Sequence, residues 1–243
     1  MEARKTDILK EVSYLQKGKG KDLVFFHGYM SSKESFSAQI EYFSKYYKVT
    51  AIDFLGFGKS APLTKAFSVS DYAEWTINVL QELGVKRPSV IAHSFGCRVA
   101  IKMAKDRGQV FDKLILTGPA GVIMNRGLSY TLKVRAYRFV RKLFPEFAEK
   151  RFGSAEYRSL SPVMKESYKK IVNEDLRETA SRVQNEILIL EGNTDTTTPP
   201  KEVEAYLSVM KHAKLTYLEG GHFAFVENPT AFNLLAEEFL ANV

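Results

Sequence analysis

The twelve residues Ser89-Val90-Ile91-Ala92-His93-Ser94-Phe95-Gly96-Cys97-Arg98-Val99-Ala100 constrain this chain more than any other stretch. Ser89 to Ala92 is an apolar run of strand length, and after Gly96 the residues Val99, Ala100, Met103 and Ala104 recur at helical spacing. A strand that runs straight into a helix needs a tight turn, and Ser94 sits in it, with Ala92 two residues before and Gly96 two after. Small flanks let the backbone fold back on itself there. The pattern is close to G-x-S-x-G, an elbow that lifts a serine hydroxyl above the end of a sheet. Ala92 stands where that pattern has its first glycine. Alanine is the next smallest side chain, so the turn survives with slightly more strain.

The rest of the chain repeats the strand-then-helix rhythm. Strands are expected at Val12 to Leu15, Leu23 to Phe26, Val49 to Ile52, Ser89 to Ala92, Leu114 to Leu116, Ile187 to Leu190 and Leu215 to Leu218. Helices are expected over Ser35 to Tyr46, Asp71 to Leu83 (capped by Ser70 or Asp71 and closed by Gly84), the stretch after the elbow to about Asp106, Pro200 to Met210, and Pro229 to Leu240. Such alternation implies an α/β fold, a doubly wound and mainly parallel sheet covered on both faces. Ligands of such sheets sit at the carboxyl ends of the strands. His27, Asp53, Ser94, Gly118 and Asp195 each fall just past a strand end, on one rim.

One segment breaks the rhythm. From 121 to 183 there is no convincing strand, and Leu128 to Leu143, Pro162 to Val172 and Glu174 to Val183 read as helices. This is expected to be a helical lid inserted into a core made of 1–120 and 184–243. The chain of 243 residues carries a net charge of +7, and the 121–183 segment alone has 14 Lys and Arg against 7 Asp and Glu, so the whole excess lies in it. No recognised nucleic-acid motif accompanies that charge, so nucleic-acid binding is not expected. No stretch approaches the ~20 apolar residues of a membrane span, and none is expected to insert stably in a membrane. The single cysteine, Cys97, fits a reducing compartment, and a cytoplasmic location is the expectation.

The chemistry follows from what a serine needs. Its hydroxyl is a weak nucleophile until a base takes the proton. A histidine must reach it, and a carboxylate must hold that histidine in the right tautomer. His222 leaves a strand through Gly220 and Gly221, and Asp195 lies in the loop that leaves the strand before it. Ser94, Asp195 and His222 are therefore the candidate catalytic residues. An oxyanion needs two backbone N–H donors. Phe95 follows the serine, and His27-Gly28-Tyr29 follows the early strand, so the N–H groups of Phe95 and Tyr29 are the candidate pair. His27, Gly28, Phe223, Tyr130 and Tyr137 are candidate pocket residues, and no metal site is expected.

These pieces resemble the lid-bearing α/β-hydrolase superfamily, in its serine esterase and C–C hydrolase-like branch. The matching motifs are His27-Gly28, Asp53-x-x-Gly56-x-Gly58-x-Ser60, His93-Ser94-x-Gly96, Gly192-x-x-Asp195-x-x-x-Pro199, and Gly221-His222 followed by Glu227-x-Pro229. They spread over nearly the whole chain. The resemblance implies a sheet of about eight strands and a Ser-His-Asp hydrolase that needs no cofactor. Serine at the elbow sets the chain apart from the haloalkane dehalogenase and epoxide hydrolase branches, which use Asp there.

Rival residues have plainer readings. Asp53 sits in a structural Asp-x-x-Gly-x-Gly turn, and Gly118-Pro119-Ala120, the other place for the triad acid, has none. His93 is expected to point away from its neighbour Ser94, His212 to lie at the surface, Glu219 to end a strand, and Cys97 to be a small core residue. The expected activity is hydrolysis of small to medium carboxylic esters through an acyl-enzyme. Two alternatives share the same residues: a C–C bond hydrolase or lyase for an anionic substrate, which the basic 121–183 segment favours, and a slow or non-catalytic ligand receptor. The Arg135, Arg138, Arg141 and Lys142 side chains could attract such an anion. The sequence leaves the oligomeric state open.

Overall fold

The computed structural model describes residues 5–105, 110–124 and 155–241. The helix expected over Leu128 to Leu143, and with it Tyr130, Arg135, Tyr137, Arg138, Arg141 and Lys142, lies outside the described residues.

Every expected strand is present, and the seven form one sheet. They are β1 (Tyr14–Lys17), β2 (Asp22–Phe26), β3 (Lys48–Ile52), β4 (Ser89–His93), β5 (Lys113–Thr117), β6 (Glu186–Gly192) and β7 (Ala213–Leu218). Their order is β1-β3-β2-β4-β5-β6-β7, so the described residues hold seven strands rather than about eight. Only β1 runs antiparallel, pairing Tyr14 with Ile52 along the edge, while the other pairs are parallel. The strands β2, β4, β5 and β6 are nearly unbroken apolar runs and are almost wholly buried, as a parallel sheet covered on both faces requires.

Alternate residues feed two cores. Val24, Phe26, Val90, Ala92, Leu114, Leu116, Ile187 and Ile189 face one side, where α3 (Val69–Glu82), α4 (Phe95–Ala104) and α8 (Pro200–Leu207) pack. Leu23, Phe25, Ile91, Ile115, Leu188 and Leu190 face the other, against α2 (Ser37–Phe43), α9 (Ala224–Glu227) and α10 (Pro229–Ala241). Helix α1 (Lys5–Glu11) lies beside α3. The cap of α3 is Ser68, not Ser70 or Asp71. Its hydroxyl accepts from the Asp71 N–H while the Asp71 carboxylate takes the Ser68 N–H, a reciprocal capping box. Gly84, at a φ of +67°, closes the helix as expected.

Between β5 and β6 the described residues form α5 (Ala155–Ser159), α6 (Pro162–Val172) and α7 (Arg177–Ala180). The helix expected over Glu174 to Val183 is thus only four residues long. The Asp175 carboxylate accepts the Arg177 N–H, and Arg98 takes the carbonyls of Ile171 and Glu174, so the chain turns before it can coil again.

Strand order also locates the ligand crevice. The chain leaves β2 toward β3 on one side and later returns to β4 on the other. The loops after β2 and β4 therefore part, opening a gap at their carboxyl ends.

Candidate active site

Ser94 stands in that gap, at φ 49° and ψ −106° between β4 and α4. A positive φ is strained for a residue with a Cβ and persists only where the surroundings enforce it. Here the Ser94 N–H is held by the Thr117 carbonyl of β5 at 3.0 Å. Gly96 completes the turn, because a Cβ there would lie 2.3 Å from the Phe26 carbonyl oxygen. Ala92 is fully buried and fits where the elbow pattern has glycine.

Asp195 and His222 meet across the ends of β6 and β7. The Asp195 carboxylate lies 2.7 Å from His222 Nδ1. Its other oxygen accepts the N–H groups of Thr197 at 2.7 Å and Thr198 at 3.0 Å. Burial alone would raise the Asp195 pKa, but the hydrogen bonds from His222 and Thr198 outweigh it and hold the carboxyl down at about 2. An ionised Asp195 accepts the Nδ1 proton of His222, which leaves Nε2 as the ring's lone-pair nitrogen.

Ser94 and His222 line one cavity of about 500 Å³, together with Gly28, Tyr29, Phe95 and Phe223. All the described candidate pocket residues except His27 are therefore on its wall. His27 sits beneath it, where Nε2 accepts from the Phe54 N–H, so Nδ1 carries the proton and donates to the Gly28 carbonyl at 2.7 Å. Burial lowers its pKa to about 4. In a planar trans peptide the N–H points opposite the C=O. Anchoring the Gly28 carbonyl to His27 thus turns the Tyr29 N–H away from His27. Gly28 itself lies close under the site, since a Cβ there would meet His93 Nδ1 at 2.8 Å and the Ser94 Cβ at 3.6 Å.

His93 is buried against the loop that carries His222. Its ring lines the cavity, lies 4.7 Å from the His222 ring, and donates from Nε2 to the His222 carbonyl at 2.9 Å. The loop carrying His222 folds over His93. Burial lowers the His93 pKa to about 3, so the ring is neutral.

Asp53 is engaged elsewhere: it accepts from the N–H groups of Lys33 and Lys59 and from Lys33 Nζ. Cys97 is buried, its thiol pushed well up by desolvation, and donates to the Ala92 carbonyl. His212 and Glu219 are exposed. Among the described residues no cluster of three or more His, Cys, Asp and Glu side chains could hold a metal ion.

Three residues were missed. Arg98, one helical turn after Ser94, lines the cavity though it is only 7% exposed; the i, i+4 spacing carried that signal. Tyr168 of α6 lines it too, and only the tertiary packing of α6 could reveal that. Glu191 is fully buried beside Asp195.

The profile of the alpha/beta hydrolase family matches residues 23–233. The chain belongs to the alpha/beta hydrolase family. The chain is 30% identical over 106 residues to the (E)-2-((N-methylformamido)methylene)succinate hydrolase of Acinetobacter baylyi, a match covering 43% of this chain and 40% of that protein. It therefore spans less than half the length of that relative. It is 27% identical over 220 residues to the 2-hydroxymuconate semialdehyde hydrolase of Pseudomonas putida, covering 80% of this chain and 77% of that one. A meta-cleavage product hydrolase from Pseudomonas fluorescens shares the fold with a TM-score of 0.72 and 23% identity, covering 94% and 93% of the two chains. Among the described residues, no helix is long and apolar enough to cross a membrane.

Proposed function

We propose that this hydrolase cleaves small to medium carboxylic esters through an acyl-enzyme on Ser94. The observation that carries the reading is the 2.7 Å contact of Asp195 with His222, which faces the cavity that Ser94 enters at a positive φ. His222 Nε2 takes the Ser94 proton as Oγ attacks the acyl carbon. The N–H groups of Phe95 and Tyr29 receive the oxyanion. The carbonyl re-forms, the alcohol leaves with the proton from His222, and Ser94 is acylated. Water then attacks the acyl carbon, giving its proton to His222, and Ser94 leaves as the hydroxyl with the carboxylic acid as product. Asp195 orients His222 and stabilises its charged form throughout.

The 121–183 segment acts as a lid in this reading. Tyr168, Ile171 and Val172, from its described part, form the cavity wall opposite the strand ends. A cavity of about 500 Å³ suits a small or medium substrate. The test is turnover of p-nitrophenyl esters of rising acyl length by wild type and by Ser94→Ala. Turnover is expected to peak at short or medium chains and to vanish in Ser94→Ala. Equal turnover by both proteins would sink the reading.

A second reading has its own support: a C–C or related cleavage of an anionic substrate by the same triad. Arg98 Nη1 donates to the Ile171 and Glu174 carbonyls at 2.8 and 3.0 Å, and no carboxylate pairs with its guanidinium among the described residues. Side chains of a helix lean toward its N-terminus, so this buried cation leans toward Ser94. A panel of keto acids against neutral esters separates the two. Turnover confined to the acids selects this second reading, and turnover of neutral esters alone removes it.

A further inference from the structure

Behind the triad lies a carboxyl group that the chemistry above leaves unused. Strand alternation puts Glu191 on the same sheet face as Ile187 and Ile189, inside the larger core. It is completely buried, and neither of its oxygens has a donor in good hydrogen-bonding geometry. The groups that face it come from every neighbouring element. They are Asp195 from the loop after β6, the Gly118 N–H from the end of β5, Glu202 from α8 and the Cys97 thiol from α4. A bare carboxylate in such a place is among the costliest groups a core can hold. An aliphatic side chain would serve the fold better. Local rules are broken in this way chiefly where function requires it. The polar side chain set against it is the Asp195 carboxylate, which only accepts, since His222, Thr197 and Thr198 all donate to it. Two carboxyl groups in contact can pair only if one of them holds a proton. Asp195, with three donors, is the one that stays ionised.

We propose that Glu191 is a positioning residue of the triad: as a neutral carboxylic acid it gives its proton as a hydrogen bond to Asp195, and so holds Asp195 as the ionised partner of His222. The proposal rests on the triad reading. Burial and the neighbouring Asp195 charge raise the Glu191 pKa to about 9, so the arrangement lasts through neutral pH. Above that range Glu191 loses its proton to solvent. Two negative charges then repel one another, Asp195 is driven from its place, and His222 loses the group that orients its ring for catalysis.

The experiment measures ester turnover from about pH 6 to about pH 10 for wild type, Ser94→Ala, Glu191→Gln and Glu191→Met, read at the isosbestic wavelength of p-nitrophenol. Wild type is expected to lose kcat with a midpoint near pH 9. Glu191→Gln, which keeps a neutral donor, is expected to hold kcat/KM within about threefold at neutral pH and to lose the alkaline decline. Glu191→Met, which fills the space without a donor, is expected to melt higher than wild type yet lose about tenfold in kcat at unchanged KM. A purely structural glutamate would not raise Tm and lower kcat together. Alkaline limbs that coincide in wild type and Glu191→Gln, or full kcat in Glu191→Met, would overturn the proposal. The infrared band of a protonated carboxyl, in wild type grown with ¹³C-labelled glutamate, tests the protonation directly even if the variants fail to fold. It should be present at neutral pH and fade on alkaline titration; its absence at neutral pH contradicts the proposal. Turnover surviving in Ser94→Ala would instead refute the triad reading, and the infrared band would still decide whether Glu191 is protonated.

Discussion

In the proposed triad, the role of Asp195 rests on a few hydrogen bonds. Its carboxylate is fully supplied with donors, so replacing it with Asn leaves the fold intact but offers His222 a group that donates as well as accepts. The wrong imidazole tautomer is then stabilised. We expect Asp195→Asn to lower kcat by about 10²- to 10⁴-fold. Ser94→Ala and His222→Ala should each cost at least as much, because they remove the reacting groups. Parallel measurements of kcat for the three variants check the order. At this scale the placement of Ser94, Asp195 and His222 past the ends of β4, β6 and β7 was legible in the sequence, since each follows an apolar run of strand length. What could not be read was the packing of His93 against His222, which depends on the loop after β7 folding back toward β4, and no local pattern records that.

Among the elements, α3 gives a clean test of local sequence logic. The reciprocal bonds between Ser68 and Asp71 satisfy two N–H groups that the helix start would otherwise leave open. Ser68→Ala should destabilise the protein by about 1 kcal/mol, seen as a small drop in thermal midpoint with kcat unchanged. A drop in kcat without loss of stability would mean that α3 does more than support α4. The cap was misplaced in the sequence because Ser68, Ser70 and Asp71 are all good capping residues within four positions. Only the backbone geometry decides which of them caps the helix. The short α7 shows the reverse case. Helical spacing runs on from Glu174, but Asp175 and Arg98 take the groups that a longer helix would need.

For the whole molecule, the strand order does the positioning. The parting of the chain between β2 and β4 brings the His27 loop and the Ser94 elbow to one crevice, and β6 and β7 deliver Asp195 and His222 beside it. The parallel apolar strands made this architecture readable, whereas the cavity wall contributed by α6 depends on packing that the sequence does not encode locally. The fold also has an acid limit. His27 and His93 are buried and neutral, with pKa values lowered to about 4 and about 3. The unfolded chain takes up protons at both below about pH 6.5 while the folded chain does not. Stability is therefore fully present above pH 6.5 and falls as the pH is lowered toward 4, by about 3 kcal/mol per histidine at the lower end. Thermal midpoints recorded across that range should decline steadily. A flat profile would mean that these rings gain a proton in the native state.

The central claim is that Ser94 is the nucleophile of an assembled triad. The most direct measurement is labelling of the folded protein with a fluorophosphonate, followed by mapping of the modified peptide. Stoichiometric label is expected on Ser94 in wild type and none in Ser94→Ala. Label on any other residue, or wild type left unmodified while it turns over esters, would contradict the claim.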